Sequence, residues 1–437
     1  MVGSSDEAFT NYGLIAESVI VPKDRSWVSF NINPDAKWHD GRPISVEDVM
    51  WTFNTLISEG HPSFKIYYRD VELVEKTGKR QVTFRFPKST NRELPLILGQ
   101  MTILPKHYWE GKNFKKTTLK PPLGSGAYRI KNFEAGRSIS YERVKKYWAA
   151  GLPVNKGQSN FDEISYEYYR DRDVATEAFK SGAFDLRAEN QSKRWATAYD
   201  FPALKEGKVK KILIPHERPT GMQGFVFNTR KDFFSDPKVR LAINYAWDFE
   251  WTNKTLMYNA YKRTNSYFSN SELSSSGTLP GGEELKILLK FKGKVPEQVF
   301  DRVYKAPQTD GSGNNRKNLR LALKLLREAG WAVKDGKLVN SQGLPLKFEL
   351  LIAYPSIERL ALPLKQSLKR LGIEMSIRTV DVAQYQQRLD TFDFDMIVSS
   401  FGQSLSPGNE QRDFWHSTNA NRTGSRNLIG IKDPVID

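Results

Sequence analysis

The chain has 437 residues, of which 39% are apolar and 27% are charged, and its 18 Tyr, 25 Phe and 10 Trp exclude a disordered protein. The absence of cysteine excludes disulfides and thiolate metal sites, and no apolar run reaches the length of about 18 residues needed for a membrane-spanning helix. The net charge of +16 would suit nucleic acid or an anionic membrane, but the basic residues are scattered, as at 112–120, 205–211 and 286–294, and we interpret them as solvated faces.

The first third of the chain predicts strands and turns around one helix. Residues 27–33 alternate with the period of a strand, and a turn-rich connection follows. Ser45 and Asp48 form the capping-box pattern of a helix, and its predicted inner face carries Val46, Val49, Met50, Phe53 and Leu56. An aromatic loop, two strands and a short helix are predicted next, at 61–69, 70–76, 81–86 and 105–109.

A segment rich in proline and glycine, 120–126, predicts a boundary between domains. A helix is predicted at 173–180, and strands are predicted at 127–133, 138–143, 163–169, 183–186 and 222–228. Asp236 and Pro237 then supply an N-cap and a first-turn proline for a helix, with an inner face made of Val239, Ala242, Ile243 and Ala246.

The last third has the alternation of an α/β domain. Helices are predicted at 319–329 and 360–371, each stopped by a glycine, and strands at 346–352, 373–377 and 394–398. Such alternation predicts sheets covered by helices.

The loop after the last strand, within 401–415, is the strongest candidate for a site. Pro407 and Gly408 prevent the strand from continuing, and Ser404, Ser406 and Asn409 present hydrogen-bonding side chains. A loop held at the end of a core strand is well placed to bind a ligand. The alternative is an ordinary surface turn before a helix, which composition alone favours.

Motifs of enzymes are poorly represented. The chain has no nucleophile elbow, no phosphate-binding loop and no zinc-protease motif, and its five histidines lie far apart. The pair His39 and Asp40 and the partial glycine motif at 311–313 are interpreted as turns. We therefore predict no enzyme and no cofactor, and a hydrolase acting on peptides or glycans, suggested only by the many carboxylates and hydroxyls, stays as the alternative.

Residues 38–53 resemble the W-x-D-G-x-P stretch of the solute-binding proteins that serve peptide-importing ABC transporters, the extracellular family 5. Residues 122–128, 227–229 with 236–244, and 401–415 resemble further stretches of that family. One branch of the family, the YejA branch, is resembled in particular by four segments: 251–255, 270–273, 310–316 and 402–415. The resemblance covers essentially the whole chain.

The resemblance implies a two-lobed α/β periplasmic binding protein of class II, cluster C type, with an extra small domain and an incomplete first lobe. On this basis 1–120 is the small domain, 121–230 part of the first lobe with the crossing between lobes, and 231–437 the second lobe. It also implies a periplasmic monomer that binds an oligopeptide, does not bind nucleic acid, and docks on an inner-membrane ABC permease with its ATPase subunits.

Compared with that family, the chain is expected to be truncated at both ends. The start, 1–7, has no signal-peptide pattern, and the family carries further segments before and after the stretch present here. Missing strands would leave open sheet edges and exposed apolar surface, so a non-functional remnant is a further alternative.

The resemblance also implies the ligand contacts. Ser404, Ser406 and Asn409 would bond the peptide backbone, as in strand addition, while Asn228 adds an amide and the tyrosines cover the ligand. Ser404 takes the place of the aspartate that holds the peptide ammonium group in oligopeptide binders, and Glu410 or Asp413 could substitute for it. The full set of expected ligand contacts is Tyr67, Tyr68, Phe227, Asn228, Phe401, Gly402, Gln403, Ser404, Leu405, Ser406, Asn409 and Arg412.

Overall fold

The computed structural model describes residues 1–86, 91–275 and 277–437, and the chain divides into two compact units, 1–187 and 188–437. Within the described ranges, no helix is both long and apolar enough to cross a membrane. The finer division at 120 and 230 stays a prediction.

Unit 1, residues 1–187, is mostly antiparallel sheet with short helices. Its strands are β1 (Val2–Gly3), β2 (Asn11–Tyr12), β3 (Ala16–Ile20), β4 (Trp27–Ile32), β5 (Leu73–Lys76), β6 (Gln81–Arg85), β7 (Tyr128–Glu134), β8 (Ser138–Arg143) and β9 (Glu163–Glu167). Its helices are α1 (Val46–Glu59), α2 (Pro62–Tyr67), α3 (Leu94–Gly99), α4 (Lys106–Trp109) and α5 (Arg172–Lys180), and a 3-10 turn lies at Pro153–Asn155.

The core of unit 1 lies between α1 and a four-stranded antiparallel sheet of order β3-β4-β6-β5. The predicted capping box at the start of α1 is present, since Ser45 Oγ accepts from Asp48 N at 3.2 Å and Asp48 Oδ2 accepts from Ser45 N at 2.9 Å. Phe53 of α1 packs edge-on against Phe84 of β6, with ring centres 5.4 Å apart. Aromatic contacts of this kind add to the stability gained from area burial.

A three-stranded antiparallel sheet, β7-β8-β9, completes the strands of unit 1 and leads to α5. The strand predicted at 183–186 is wrong. Gly182 has φ +82° and Ala183 N donates to Ala178 O at 3.0 Å, so the chain closes α5 with a Schellman-type turn. Phe184 then packs on Phe179 with ring centres 5.5 Å apart, and this contact takes up the apolar residue that suggested a strand.

Unit 2, residues 188–437, is an α/β unit. Its strands are β10 (Met222–Phe227), β11 (Ala332–Lys334), β12 (Lys337–Val339), β13 (Lys347–Ile352), β14 (Glu374–Thr379) and β15 (Met396–Phe401). Its helices are α6 (Ser192–Thr197), α7 (Pro202–Lys205), α8 (Asp232–Ser235), α9 (Pro237–Ala246), α10 (Phe249–Leu256), α11 (Gly282–Leu289), α12 (Gln298–Asp301), α13 (Arg316–Glu328), α14 (Pro355–Arg370), α15 (Val382–Asp390) and α16 (Asn409–Trp415), with a 3-10 turn at Ser417–Asn419.

The sheet of unit 2 has the order β10-β15-β13-β14, and its two faces are covered differently. β13 is parallel to both β14 and β15, whereas β10 is antiparallel to β15. Leu350 and Ile352 of β13 pack with α9, α13 and α14, and Leu351 packs on the other face with Phe394, Phe401 and Phe414. Burial on both faces explains why this central strand ends in three consecutive apolar residues, Leu350, Leu351 and Ile352.

Candidate ligand-binding loop and its support

The candidate loop, residues 402–408, connects β15 to α16. β15 ends at Phe401, three residues beyond the predicted strand end, and Phe401 is only 4% exposed. Its ring lies 5.7 Å from Tyr267, 5.5 Å from Phe414 and 4.9 Å from Trp415, measured between ring centres. The same aromatic cluster thus holds the strand that enters the loop and the helix that leaves it.

Hydrogen bonds within the loop region fix its path. Ser406 N donates to Ser404 Oγ at 3.1 Å, and Gln411 N donates to Gly408 O at 2.9 Å. Gln411 also accepts from Trp415 Nε1 at 2.9 Å, and its side-chain amide pairs with that of Gln403. The loop is therefore a built surface rather than an open connection.

Polar groups of the loop face solvent to different degrees. Gly402, Ser404 and Arg412 are exposed, whereas the remaining predicted contacts of the loop are half-buried, and these are Gln403, Leu405, Ser406 and Asn409. An exposed hydroxyl beside exposed main chain at Gly402 can bond an extended ligand without selecting its side chains.

Of the two acidic residues suggested as substitutes for the missing aspartate, Asp413 is buried, and Glu410 is half-buried and engaged within its own turn. Asp413 is 2% exposed, accepts from Arg426 N at 3.4 Å and lies 3.9 Å from Arg422 Nη2. Glu410 Oε1 accepts from Gly408 N at 2.9 Å, so its carboxylate closes the turn that begins α16. The loop itself therefore presents neutral groups where oligopeptide binders of this kind are expected to place an aspartate.

Asn228, at the end of β10, uses all four of its side-chain hydrogen-bonding positions inside unit 2. Its Nδ2 donates to the carbonyl oxygens of Phe392 and Phe394 at 3.1 and 2.8 Å. Its Oδ1 accepts from Arg230 N at 3.2 Å and from Arg230 Nη1 at 2.9 Å. An amide has two donors and two acceptor positions, so this geometry gives Asn228 a supporting role and leaves its predicted ligand contact a prediction.

Arg230 extends that network to the C-terminal segment of unit 2. Its guanidinium donates to main-chain oxygens of Ala420, Asn427 and Leu428, at 3.0, 2.8 and 3.1 Å. The guanidinium carbon also lies 3.8 Å from the centre of the Phe392 ring. Burial lowers the pKa of Arg230 to about 10, and the carbonyl oxygens compensate the buried positive charge.

The aromatic residues of the predicted set are mainly packing groups. Phe227 lies 5.0 Å from Phe234 between ring centres. In unit 1, Tyr68 is 5% exposed, stacks on Phe64 and contacts Phe53, while Tyr67 is half-buried at the end of α2. Burial, with a smaller effect of Tyr67, raises the pKa of Tyr68 to about 12. Thus two predicted contacts lie in unit 1, and the other ten lie in unit 2.

A second polar cluster in unit 2 was not predicted from the sequence. Thr309 Oγ1 donates to Asp248 Oδ1 at 2.5 Å, and Thr309 N donates to Glu250 Oε2 at 3.0 Å. Gly313, with φ +82°, packs directly on Trp251, where an added Cβ would lie 2.9 Å from the indole. The segments 251–255 and 310–316, noted only for their resemblance to one branch of a family, therefore meet at the start of α10.

No group of three or more metal-binding side chains is formed within the described parts of the chain. The sheets covered by helices, together with a strand-end loop of neutral polar groups, are compatible with a binding protein. The chain belongs to the bacterial extracellular solute-binding proteins, family 5, whose family model matches residues 11–422. This confirms the family resemblance found in the sequence.

Relatives of known sequence cover the whole of this chain. It is 49% identical to an uncharacterized protein, y4wM, of Sinorhizobium fredii and spans 67% of that protein. It is 45% identical to a probable peptide-binding protein, YejA, of Agrobacterium fabrum and spans 72% of it. The chain is also 42% identical to the peptidoglycan-binding protein YepA of the same species, and it spans 72% of that protein.

Solved structures share the fold at low sequence identity. The oligopeptide-binding protein AppA of Bacillus subtilis, in complex with a nonapeptide, matches with a TM-score of 0.71 at 22% identity, over 96% of this chain and 76% of that one. A periplasmic oligopeptide-binding protein of Thermotoga maritima with bound mannohexaose matches with a TM-score of 0.70 at 19% identity, over 97% and 74%. These matches confirm the predicted two-lobed binding-protein fold class.

Proposed function

We propose that this protein is the peptide-binding subunit of an ABC importer. It captures an oligopeptide in the periplasm and delivers it intact to an inner-membrane permease with its ATPase subunits, acting as a monomer and performing no catalysis. The observation that carries the proposal is the family match over 11–422, supported by the peptide-binding relative at 45% identity.

The geometry of the loop supports recognition of the peptide main chain. Ser404, Ser406 and Asn409 supply neutral hydrogen-bonding groups next to the exposed backbone of Gly402. Tyr67, half-buried in unit 1, is proposed to cover the ligand. The buried residues Asn228, Phe401 and Tyr68, with the half-buried Phe227, are proposed to hold these groups in place.

Neutral groups at the loop lead to a specific expectation about the peptide's amino end. A charge-assisted hydrogen bond to an ammonium group is worth about 1.5–3 kcal/mol, which is roughly a tenfold to hundredfold change in affinity. Because Asp413 is buried and Glu410 closes a turn, we expect acetylation of the amino end to change the affinity by less than about threefold. Calorimetric titration with paired free and acetylated peptides measures this, and a tenfold loss on acetylation would show that an acidic anchor exists elsewhere.

The decisive experiment is native mass spectrometry of the freshly purified chain, followed by denaturing release and sequencing of what it carries. We expect intact short peptides. Replacing Ser404, Ser406 and Asn409 together by Ala should lower the affinity for such a peptide at least about tenfold, since three hydrogen bonds of about 1 kcal/mol each are removed. The matched control truncates three exposed polar residues of unit 2 far from the loop in sequence, Asn314, Ser341 and Gln342, and should leave the affinity unchanged.

Two outcomes would overturn the proposal. Peptides that are cleaved during incubation would support the hydrolase alternative, because a binding protein returns its ligand unchanged. Equal loss of affinity in the loop variant and in the control variant would place the peptide site elsewhere.

A further inference from the structure

The three-stranded sheet of unit 1, β7-β8-β9, has one apolar and one polar face. In an antiparallel sheet, residues paired across neighbouring strands lie on the same face, and residues two apart along a strand also share a face. Two neighbouring rows of paired residues are apolar, and they consist of Phe133, Ile139 and Tyr166, and of Ile130, Tyr141 and Ile164. Both rows lie on one side, since Ile139 and Tyr141 are two residues apart in β8. We call these six residues the apolar sheet face.

The opposite face of the same sheet suits contact with water. Ser140 Oγ lies 2.7 Å from Ser165 Oγ, and Arg129 Nε donates to Glu142 Oε1 at 2.6 Å. The side chains of that ion pair are 55% and 35% exposed. An antiparallel sheet with one solvated face commonly packs its other face on a core, so this arrangement predicts a covering layer on the apolar side.

The apolar sheet face has the composition of a core without its burial. Tyr166 is 53% exposed and Phe133 is 38% exposed. All residues of β7, β8 and β9 lie in the described part of the chain, and none of them is buried. In the four-stranded sheet of the same unit, by contrast, Val28 and Val82 are fully buried. A contiguous patch of aromatic and aliphatic side chains on a small sheet indicates a contact surface.

The lengths of the relatives indicate what covers this surface. The chain spans 67% of the Sinorhizobium protein y4wM, 72% of the Agrobacterium YejA and 76% of the AppA chain whose fold it shares. Those proteins therefore carry further polypeptide outside the stretch that this chain matches. A second copy of this chain is a poorer candidate, because two molecules that each carry a net charge of +16 repel one another.

We propose that the apolar sheet face docks a polypeptide segment that members of this family carry outside the stretch matched by this chain. The segment supplies a second layer over β7, β8 and β9, and its apolar side chains pack on the two rows, as layers do in other domains. The inference does not depend on peptide binding, because the face lies in unit 1 and the loop at 402–408 lies in unit 2.

The experiment mixes the full chain with the residues of the Agrobacterium YejA that lie outside the matched stretch, produced separately. We expect a complex in sedimentation velocity and slower hydrogen exchange of the amides in β7, β8 and β9 when it forms. Replacing Ile139 by Asp should weaken the complex at least about tenfold, since docking would bury a carboxylate that has no partner.

The matched control replaces Ser140 by Asp. This change adds the same charge to the adjacent residue, on the opposite face of β8, and should alter the affinity by less than about threefold. Circular dichroism shows whether both variants keep their fold, which we expect because Ile139 and Ser140 are only half-buried in the chain alone.

Three outcomes would overturn the proposal. The first is equal loss of affinity in the two variants, and the second is the absence of any complex with the added residues. The third is self-association of the chain alone that increases with its concentration and is abolished by replacing Ile139 with Asp, which would make a second copy the partner of this face.

Discussion

The carboxamide of Asn228 illustrates why single residues are the hardest scale to interpret from sequence. Its position after a strand suggested a ligand contact, but in the structure it bonds the carbonyl oxygens of Phe392 and Phe394 and holds Arg230. Phe392 and Phe394 lie more than 160 residues away from Asn228 in sequence. A sequence reveals that an asparagine can donate two hydrogen bonds, whereas only the fold reveals which acceptors are close enough to receive them.

Tyr68 gives a prediction about alkaline pH. Burial raises its pKa to about 12, above the value of about 10 in an unfolded chain. The neutral phenol is therefore favoured by folding, so this contribution is fully present below pH 10 and is lost as the pH rises through 12. Between these values the free energy of unfolding should fall by about 1.4 kcal/mol per pH unit from this residue alone.

Replacing Tyr68 by Phe should remove that part of the slope and also one late-titrating phenol from the ultraviolet absorbance titration. Urea unfolding at several alkaline pH values measures the slope. Replacement of the exposed Tyr304 by Phe is the control and should leave both observations as they are. An unchanged slope in the Tyr68 variant would contradict the assignment.

Elements with both a cap and an apolar face were the ones that the sequence predicted well. α1 has the expected capping box, and α9 begins as expected, with Asp236 accepting from Lys238 N at 2.7 Å and Val239 and Ile243 buried. Local chemistry decides these features, because the cap and the helix period are close in sequence. The prediction of a strand at 183–186 was wrong because the helix-closing turn beside Gly182 competes with strand formation there.

The contact between β10 and the end of β15 gives a second prediction. Gly221 has φ +67°, and an added Cβ would lie 2.3 Å from Phe401 O, at the point where the candidate loop begins. Replacing Gly221 by Ala should destabilise unit 2 by roughly 2–3 kcal/mol, through backbone strain and loss of the strand end, and loosen the loop. Hydrogen exchange of the amides in β10 and β15 measures the effect.

Gly224, in the middle of β10, is the matched control for that substitution. An added Cβ there meets nothing within 4 Å, and its φ is not in the left-handed region. Replacing Gly224 by Ala should therefore preserve the protection of both strands. Equal exchange rates in the two variants would contradict the role given to Gly221.

The whole molecule contains separate cores, which predict separate unfolding. Val28 lies in the core of unit 1 and is fully buried, and Leu326 lies in the main core of unit 2 and is also fully buried. Replacing either by Ala removes buried methyl groups and leaves a cavity, at a cost of about 2–4 kcal/mol for Leu326 and somewhat less for Val28.

Differential scanning calorimetry should resolve two transitions in the unaltered chain. The Val28 variant should lower one of them, and the Leu326 variant should lower the other. A single transition that moves as a whole in both variants would show that the two units unfold cooperatively, contrary to expectation.

At this largest scale the sequence predicted the class, and the division at 120 and 230 stays a prediction. Motif resemblance over the whole chain indicated the family, and the family model confirms it. The compact units divide at 187–188, whereas the proline and glycine segment at 120–126 suggested an earlier division. Composition marks where a chain can bend, but compact units are defined by contacts between distant residues, which composition does not encode.

The order of strands in unit 2 has a consequence for self-association. β14 and β10 are the two edges of the described sheet, and β14 carries Glu374 and Arg378, charges that oppose strand pairing between molecules. β10, with the sequence Met-Gln-Gly-Phe-Val-Phe, has no charged residue. Fibril-like assembly of this chain would therefore begin at β10, and a lysine introduced at Gln223, which is exposed, is the substitution that should keep concentrated preparations clear.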